Sequence, residues 1–306
     1  MIGYIHNYSS ISRVDAFEKG ILTGIQAGFS NETIHPDYKQ YISPALIRRM
    51  SPIVKMGVTA GLKCIENKEE NLAGIIVGTG LGCLRDTEVF LKTVLKKDGL
   101  AISPTAFIQS THNTVAGQLA LSLGNKGYNM THSHQEISFE TALNDALLLA
   151  NESNEAVLVG ACEEHISFLD EMATQFGLNS ADFGEGASFF KISNNPKDAI
   201  AKIESAQFFI DEVEFSAHLE KEKPSLVLYR SGLSIVDINP TLPSIDLQKQ
   251  CGIYATNSAF GVQLACELIS TTKGTFENID LKNVQKIAVV NFHRSSKISL
   301  TTISTL

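Results

Sequence analysis

Continuous apolar runs alternate along this chain with stretches whose apolar residues recur every three or four positions. The first kind reads as strands buried on both faces, the second as helices with one apolar side. Residues 2–12 (IGYIHNYSSIS), Leu72–Leu84 (LAGIIVGTGLGCL), Asn154–His165 (NEAVLVGACEEH) and Phe183–Ser193 (FGEGASFFKIS) are of the first kind. So are AIAKIESAQFFI, SLVLYRSG and QKIAVVNFHRSSKISLTTI, the last long enough for two strands. Helical spacing runs through Ser43–Glu66, where Ser43-Pro44 supplies a cap and a first-turn proline and Pro52 marks a point of interruption. It recurs in Asp86–Lys97, in DEVEFSAHLEKEKP and in YATNSAFGVQLACELIS. A loop is expected at 98–103 and another through Pro240 and Pro243, and 31–44 reads as a polar excursion over the surface. Strands alternating with helices predict mixed sheets covered by helices, an α/β protein.

The stretch Gly127–Ala146 (GYNMTHSHQEISFETALNDA) changes period in its middle: a short strand breaks at once into a helix. Ser133 followed three residues later by Glu136 has capping-box spacing, and Ile137, Thr141, Ala142 and Ala146 continue at helical period. The GTGLG that ends the Leu72–Leu84 run is not a dinucleotide loop. The third glycine would fall on Cys83, and no Walker lysine follows, so the glycines read as a turn between closely passing chains.

Composition narrows the function classes. The 306 residues are 43% hydrophobic and 19% charged, as in an ordered globular protein with a substantial core. A formal charge of −8 argues against a nucleic-acid role, which needs a basic face. The five cysteines (Cys64, Cys83, Cys162, Cys251, Cys266) are scattered with no CxxC pair, which fits reduced thiols and no zinc site. Neither a signal-peptide pattern nor an apolar run of about 20 residues is visible, so a cytoplasmic protein without a membrane span is expected.

Several segments, in order, resemble the β-ketoacyl synthases: RRM at 48–50, GIIVGTGLG, SPTAFIQSTHNTVAGQLALSLGNKGYN, VLVGACEE and GEGASFF. The resemblance implies a thiolase-like fold, a duplicated five-layered α-β-α-β-α arrangement with mixed sheets. Residues 1–195 would form a ketosynthase-like half and 196–306 a second thiolase-like half, integrated as one unit with its boundary at Asn194–Pro196. The chain looks like the compact relatives of aryl polyene and flexirubin-type pigment clusters, several of which act as chain-length-factor-like subunits.

The family's chemistry uses a cysteine at the start of the helix, where the macrodipole favours a thiolate, and two histidines that stabilise an enolate. Here no cysteine lies between Cys83 and Cys162. Counting back from Ala142 and Asp145 puts the nucleophile position on Glu136, or with one gap on Gln135 or His134. The strand that should carry the first histidine reads SLVLYRSG, and the helix that should carry the second has Ser258 there. Two accounts of the junction stay open. In one, Glu136 caps the helix, worth about 0.3–1 kcal/mol for each of two effects, and fills the space of the thiolate. In the other, His132, His134 and Glu136 form an acid/base site.

The expected role is therefore a non-condensing, chain-length-factor-like partner of an active β-ketoacyl-ACP synthase in type II fatty acid or polyketide biosynthesis. Its partners would be that synthase in a heterodimer, or a second copy of itself, and an acyl carrier protein; no cofactor or metal is implied. The alternatives are a condensing or decarboxylating enzyme with a displaced residue set, and an acyl- or carrier-protein-binding scaffold. Arg48 and Arg49 read either as a solvated face or as part of the carrier-protein entrance. Phe107, Asn113, Met130 and His132 fall in segments that flank the family's dimer interface. His6 and His112 read as structural; His165 and His293 carry no assignment.

Overall fold

The computed structural model describes residues 1–65, 71–96, 104–230, 241–293 and 297–306; the expected loops at 98–103 and through Pro240 fall outside them. Twelve strands are present among the described residues: β1 (Gly3–Ile11), β2 (Leu72–Gly78), β3 (Tyr128–His132), β4 (Ala156–Glu163), β5 (Gly186–Ser193), β6 (Ala201–Phe209), β7 (Leu226–Tyr229), β8 (Ser244–Asp246), β9 (Thr275–Phe276), β10 (Ile279–Asp280), β11 (Lys286–Phe292) and β12 (Ile298–Ser304). All but the β9–β10 hairpin belong to one series, β3-β2-β4-β5-β1-β6-β12-β11-β7-β8. Its two ends repeat each other. In the first five, β3, β2 and β4 are parallel, and β5 and β1 follow antiparallel. Read inward from β8, the other five do the same: β8, β7 and β11 parallel, then β12 and β6 antiparallel. The duplication absent from the residues as identity is thus present as topology.

Three apolar clusters show how the layers stack. Ile75 and Val77 of β2 pack outward with the helices Pro52–Cys64 and Thr114–Leu123. Ile76, between them, points the other way into a central cluster. That cluster also holds Leu226 and Leu228 of β7, Ile287 and Val289 of β11, and the inner faces of the helices Ser138–Ser153 and Asn257–Ser270. A third cluster joins Val227, Ala288 and Val290 to the helix Glu212–Glu222. Alternate residues of one strand therefore feed two helical layers, which is why β2 and β7 read as unbroken apolar runs. The two sheets meet through only three residue pairs of β1 and β6, Gly3↔Ile203, Tyr4↔Lys202 and Ile5↔Ala201. The fold is the expected five-layered α-β-α-β-α.

One local expectation, the interruption at Pro52, holds, and one is corrected. The helical pattern over Ser43–Glu66 is two helices, Pro44–Ile47 and Pro52–Cys64. Ser51 before Pro52 is extended (φ −70°, ψ 166°), because the proline ring clashes with a helical conformation at the preceding residue. The capping box at Ser133 does not form. A single 3₁₀ turn, Gln135–Ile137, precedes the helix proper at Ser138. The hydroxyl that ties this turn together is that of Ser138, which accepts from His134 N (2.8 Å) and donates to Gln135 O (2.6 Å).

Candidate functional site

Parallel strands open their carboxyl ends on one side of a sheet, and ligands bind there in α/β proteins. Here both halves bring such ends together. The turn after β2 packs on the junction after β3: Thr79 N donates to His132 O (3.0 Å), and a Cβ on Gly80 would stand 3.1 Å from Gln135 O and 2.4 Å from Ala255 Cβ. Glycine at 80 therefore lets the first half's junction touch the segment leading into the helix Asn257–Ser270. From the second half come Arg230 after β7, whose Nη1 donates to Ala255 O (3.4 Å), and Asn291 and His293 at the end of β11.

At the centre stands Gln135, the one residue of the β3–helix junction with positive φ (55°). A non-glycine residue pays about 1–3 kcal/mol for such a conformation and keeps it only when its surroundings hold it there. The surroundings are plain. His293 Nε2 lies 2.9 Å from Gln135 Oε1 and 3.0 Å from Glu136 Oε2, so one imidazole nitrogen ties two consecutive side chains. Asn291 Nδ2 donates to Glu136 O (2.6 Å) and to Glu140 Oε1 (2.9 Å).

Below the junction lies a buried polar cluster of Glu140, Ser258, Asn291 and Ser299, each under 4% exposed. Burial pushes the Glu140 carboxyl up. The Ser258, Asn291 and Ser299 side chains beside it oppose the rise. The two hydroxyls stand close to the carboxyl without completing a hydrogen bond, and Glu140 Oε2, Asn291 Oδ1 and both hydroxyls have no hydrogen-bond partner. Such groups cost about 1–3 kcal/mol each, so the arrangement is not optimised for stability.

The glycine turn has its own anchor. Glu163, at the end of β4, accepts from Gly80 N through Oε1 and from Leu81 N (3.2 Å) through Oε2. Its neighbour Glu164 accepts from Arg85 N (2.9 Å). Burial pushes both carboxyls up to about 7, against the backbone N–H bonds that favour their charge. These glutamates are the last two residues of the VLVGACEE segment. The sequence supplied the segment but not the role, which depends on the β2 turn lying across it.

The sequence-derived candidates separate. His132 Nε2 binds Asp145 Oδ2 (2.7 Å), which Tyr128 OH also reaches (3.1 Å). His134 is exposed, its ring 6.0 Å from that of His132. Glu136 turns to His293 instead. The acid/base grouping of His132, His134 and Glu136 is therefore not assembled. Ser258 is buried beside Glu140. Arg48 and Arg49 are exposed, and Arg49 borders a pocket of about 210 Å³ with Leu46, Met50 and Ile108. Phe107 (57%), Met130 (38%) and Asn113 are exposed and His132 half-buried. All five cysteines are buried; burial pushes the thiols of Cys83 and Cys251 up to about 12 and raises those of Cys162 and Cys266 as well. No group of three or more His, Cys, Asp or Glu side chains suited to a metal occurs among the described residues, and no helix there is long and apolar enough to cross a membrane.

Residues 26–175 match the family model described as "Beta-ketoacyl synthase, N-terminal domain". This match and the topology make the chain similar to the β-ketoacyl synthases, on the thiolase-like fold. The 3-oxoacyl-[acyl-carrier-protein] synthase 2 of Vibrio cholerae is 26% identical over 174 residues, 53% of this chain and 39% of that enzyme. Its counterpart from Vibrio harveyi is 24% identical over 206 residues, 64% of this chain and 46% of that enzyme. The chain thus aligns with less than half the length of these two relatives. Among solved structures, the ishigamide ketosynthase/chain length factor superposes with a TM-score of 0.79 at 15% identity, covering 100% of both chains. A ketosynthase (ApeO) in complex with its chain length factor (ApeC) from Xenorhabdus doucetiae gives 0.61 at 15% identity over 99% of each chain.

Proposed function

We propose that this chain is a non-condensing, chain-length-factor-like subunit that pairs with an active β-ketoacyl-ACP synthase in type II fatty acid or polyketide synthesis of the aryl polyene kind. The observation that carries the reading is Gln135. It holds the strained position at the strand-to-helix junction, and it is one of the three residues, with His134 and Glu136, on which the resemblance could place a nucleophilic cysteine. A carboxamide cannot carry an acyl group as an exchangeable thioester. The segment SLVLYRSG, where the resemblance expects the first histidine, has none, and Ser258 stands roughly where it expects the second, so the imidazole pair that stabilises an enolate is not supplied. His293 further closes the junction by binding Gln135 and Glu136.

The edge strand β3 is the surface through which the subunit would pair. Among the described residues its outer side is unpaired at one end of the strand series, and it exposes Tyr128 (39%) and Met130 (38%). Unpaired strand edges with apolar side chains are templates for another chain. Arg48 and Arg49, beside the apolar pocket at Ile108, are the proposed carrier-protein contact on an otherwise acidic protein.

The test is co-expression with cysteine-containing ketosynthases from the same gene neighbourhood, followed by size exclusion and native mass measurement. A one-to-one heterodimer that displaces any homodimer is expected. A homodimer that persists beside an unbound synthase would overturn the reading.

A further inference from the structure

Just beyond β1, Arg13 is half-buried and contributes to two adjoining pockets, of about 230 and 420 Å³. Its Nε donates to Ser30 O (3.3 Å), and no carboxylate forms an ion pair with it among the described residues. A guanidinium has five donors, so both terminal nitrogens remain for something else.

The walls of the smaller pocket explain why a carboxylate nearby does not fill that need. Glu185 lines it, but its Oε2 accepts from His165 N (3.0 Å) and its Oε1 lies 3.7 Å from His35 Nε2. His35 is fixed in turn by Tyr38 OH at its Nδ1 (2.7 Å), and His165 by Asp170 Oδ1 at its Nε2 (2.8 Å). That carboxylate is thus engaged in the pocket wall, and the two imidazoles line the same pocket as the guanidinium. Glu32 also lines it, and Asp182 and Asp246 line the larger pocket, but none of these forms an ion pair with Arg13 among the described residues.

The backbone shapes the place. Gly184 and Gly252 cross so closely that a Cβ on Gly252 (φ +84°) would meet Gly184 Cα at 2.9 Å and Arg13 Nη1 at 3.2 Å. Gly184 lets the two segments cross, and Gly252 leaves room for the guanidinium to lie against the chain. A planar fork held in a concave site matches the paired oxygens of a carboxylate or a phosphate. Arg13 is partly exposed and has no ion pair among the described residues, so its free donors are open to an oxyanion from solution.

We propose that Arg13, flanked by His35 and His165, forms a binding site for a small oxyanion, a phosphate or a carboxylate. The site shares no residue with the Gln135 junction and stands whether or not the subunit role is right.

The test uses the full chain and two probes, sodium phosphate and sodium acetate, each titrated calorimetrically at constant ionic strength kept with sodium chloride. Saturable binding of phosphate alone assigns the site to phosphoryl groups, and binding of acetate as tightly assigns it to carboxylates. Arg13→Gln should weaken the bound probe at least about tenfold with unchanged circular dichroism. Glu185→Gln, which removes a negative charge from the wall, should tighten it. Should Arg13→Gln fail to fold, Arg13→Lys keeps the charge without the fork and should still weaken binding. No saturable heat from either probe, or affinity unchanged in the Arg13 variants, overturns the proposal.

Discussion

Gln135 is held at φ 55° by its neighbours rather than by its own preference, since the Ser138 hydroxyl takes its carbonyl oxygen and His293 its side chain. A cysteine placed there would inherit the same backbone and the field of the helix that follows. Its surroundings would be unlike those of the native thiols, all of which are buried. Gln135→Cys should therefore be alkylated by iodoacetamide at neutral pH as a single adduct by intact mass, while the unaltered protein takes up none over the same time. Labelling of both proteins to the same extent would show that position 135 is not a reactive elbow. The identity of the pivotal residue was only partly legible. Counting along the helix left His134, Gln135 and Glu136 open, because helical period does not say where a 3₁₀ turn inserts. Its partner His293 could not be assigned at all, because 158 residues separate it from Gln135.

At the level of elements, β3 is the informative strand. Among the described residues it is flanked by β2 on one side only, and its residues Tyr128, Asn129 and Met130 are all exposed. Internal strands such as β4 are buried almost throughout, so the short, polar-interleaved YNMTH is a sheet margin in sequence as well as in structure. Burying it against a partner as part of an interface on the order of 2,000 Å² would remove this margin from water. Met130→Asp would strand a carboxylate in that contact. We expect the variant to lose its dimeric state or to aggregate when examined by light scattering. A variant with unaltered assembly and melting temperature would place the interface elsewhere. The glycine turn after β2 is a second case: GTGLG was readable as a turn, but its work of meeting Glu163 and the Gln135 junction required β4 and the helix to be in place.

For the molecule as a whole, the raised carboxyls make a statement about acid stability. Glu163 and Glu164 titrate near 4.5 when unfolded and near 7 when folded. Between those values the folded protein keeps protons that the unfolded chain has released. Stability from this source is complete below about pH 4.5 and is lost as pH rises through 7. The melting temperature should thus be higher at pH 5.5 than at pH 7.5. Glu163→Gln should flatten that slope, since a carboxamide oxygen can still accept one of the turn's N–H groups. A melting temperature that climbs over the interval, or a slope untouched by the substitution, would contradict the burial of this pair as the cause.

The sequence by itself determined the elements and their kinds, because strand and helix periods are local and the buried strands are unbroken apolar runs. It also determined what the junction lacks, since the missing cysteine and the residues in SLVLYRSG and NSAFGVQLA are matters of identity. Only the tertiary structure decided which groups meet. The repeated strand order, the tie from His293 to Gln135 and Glu136, and the buried cluster around Glu140 all join residues from different halves of the chain. The same holds for Arg13, which has no ion pair among the described residues and whose surroundings form only when Gly184 and Gly252 cross beside it. Pairings across 150 or more residues leave no period and no spacing to read; they are set by how two sheets close on a shared layer of helices.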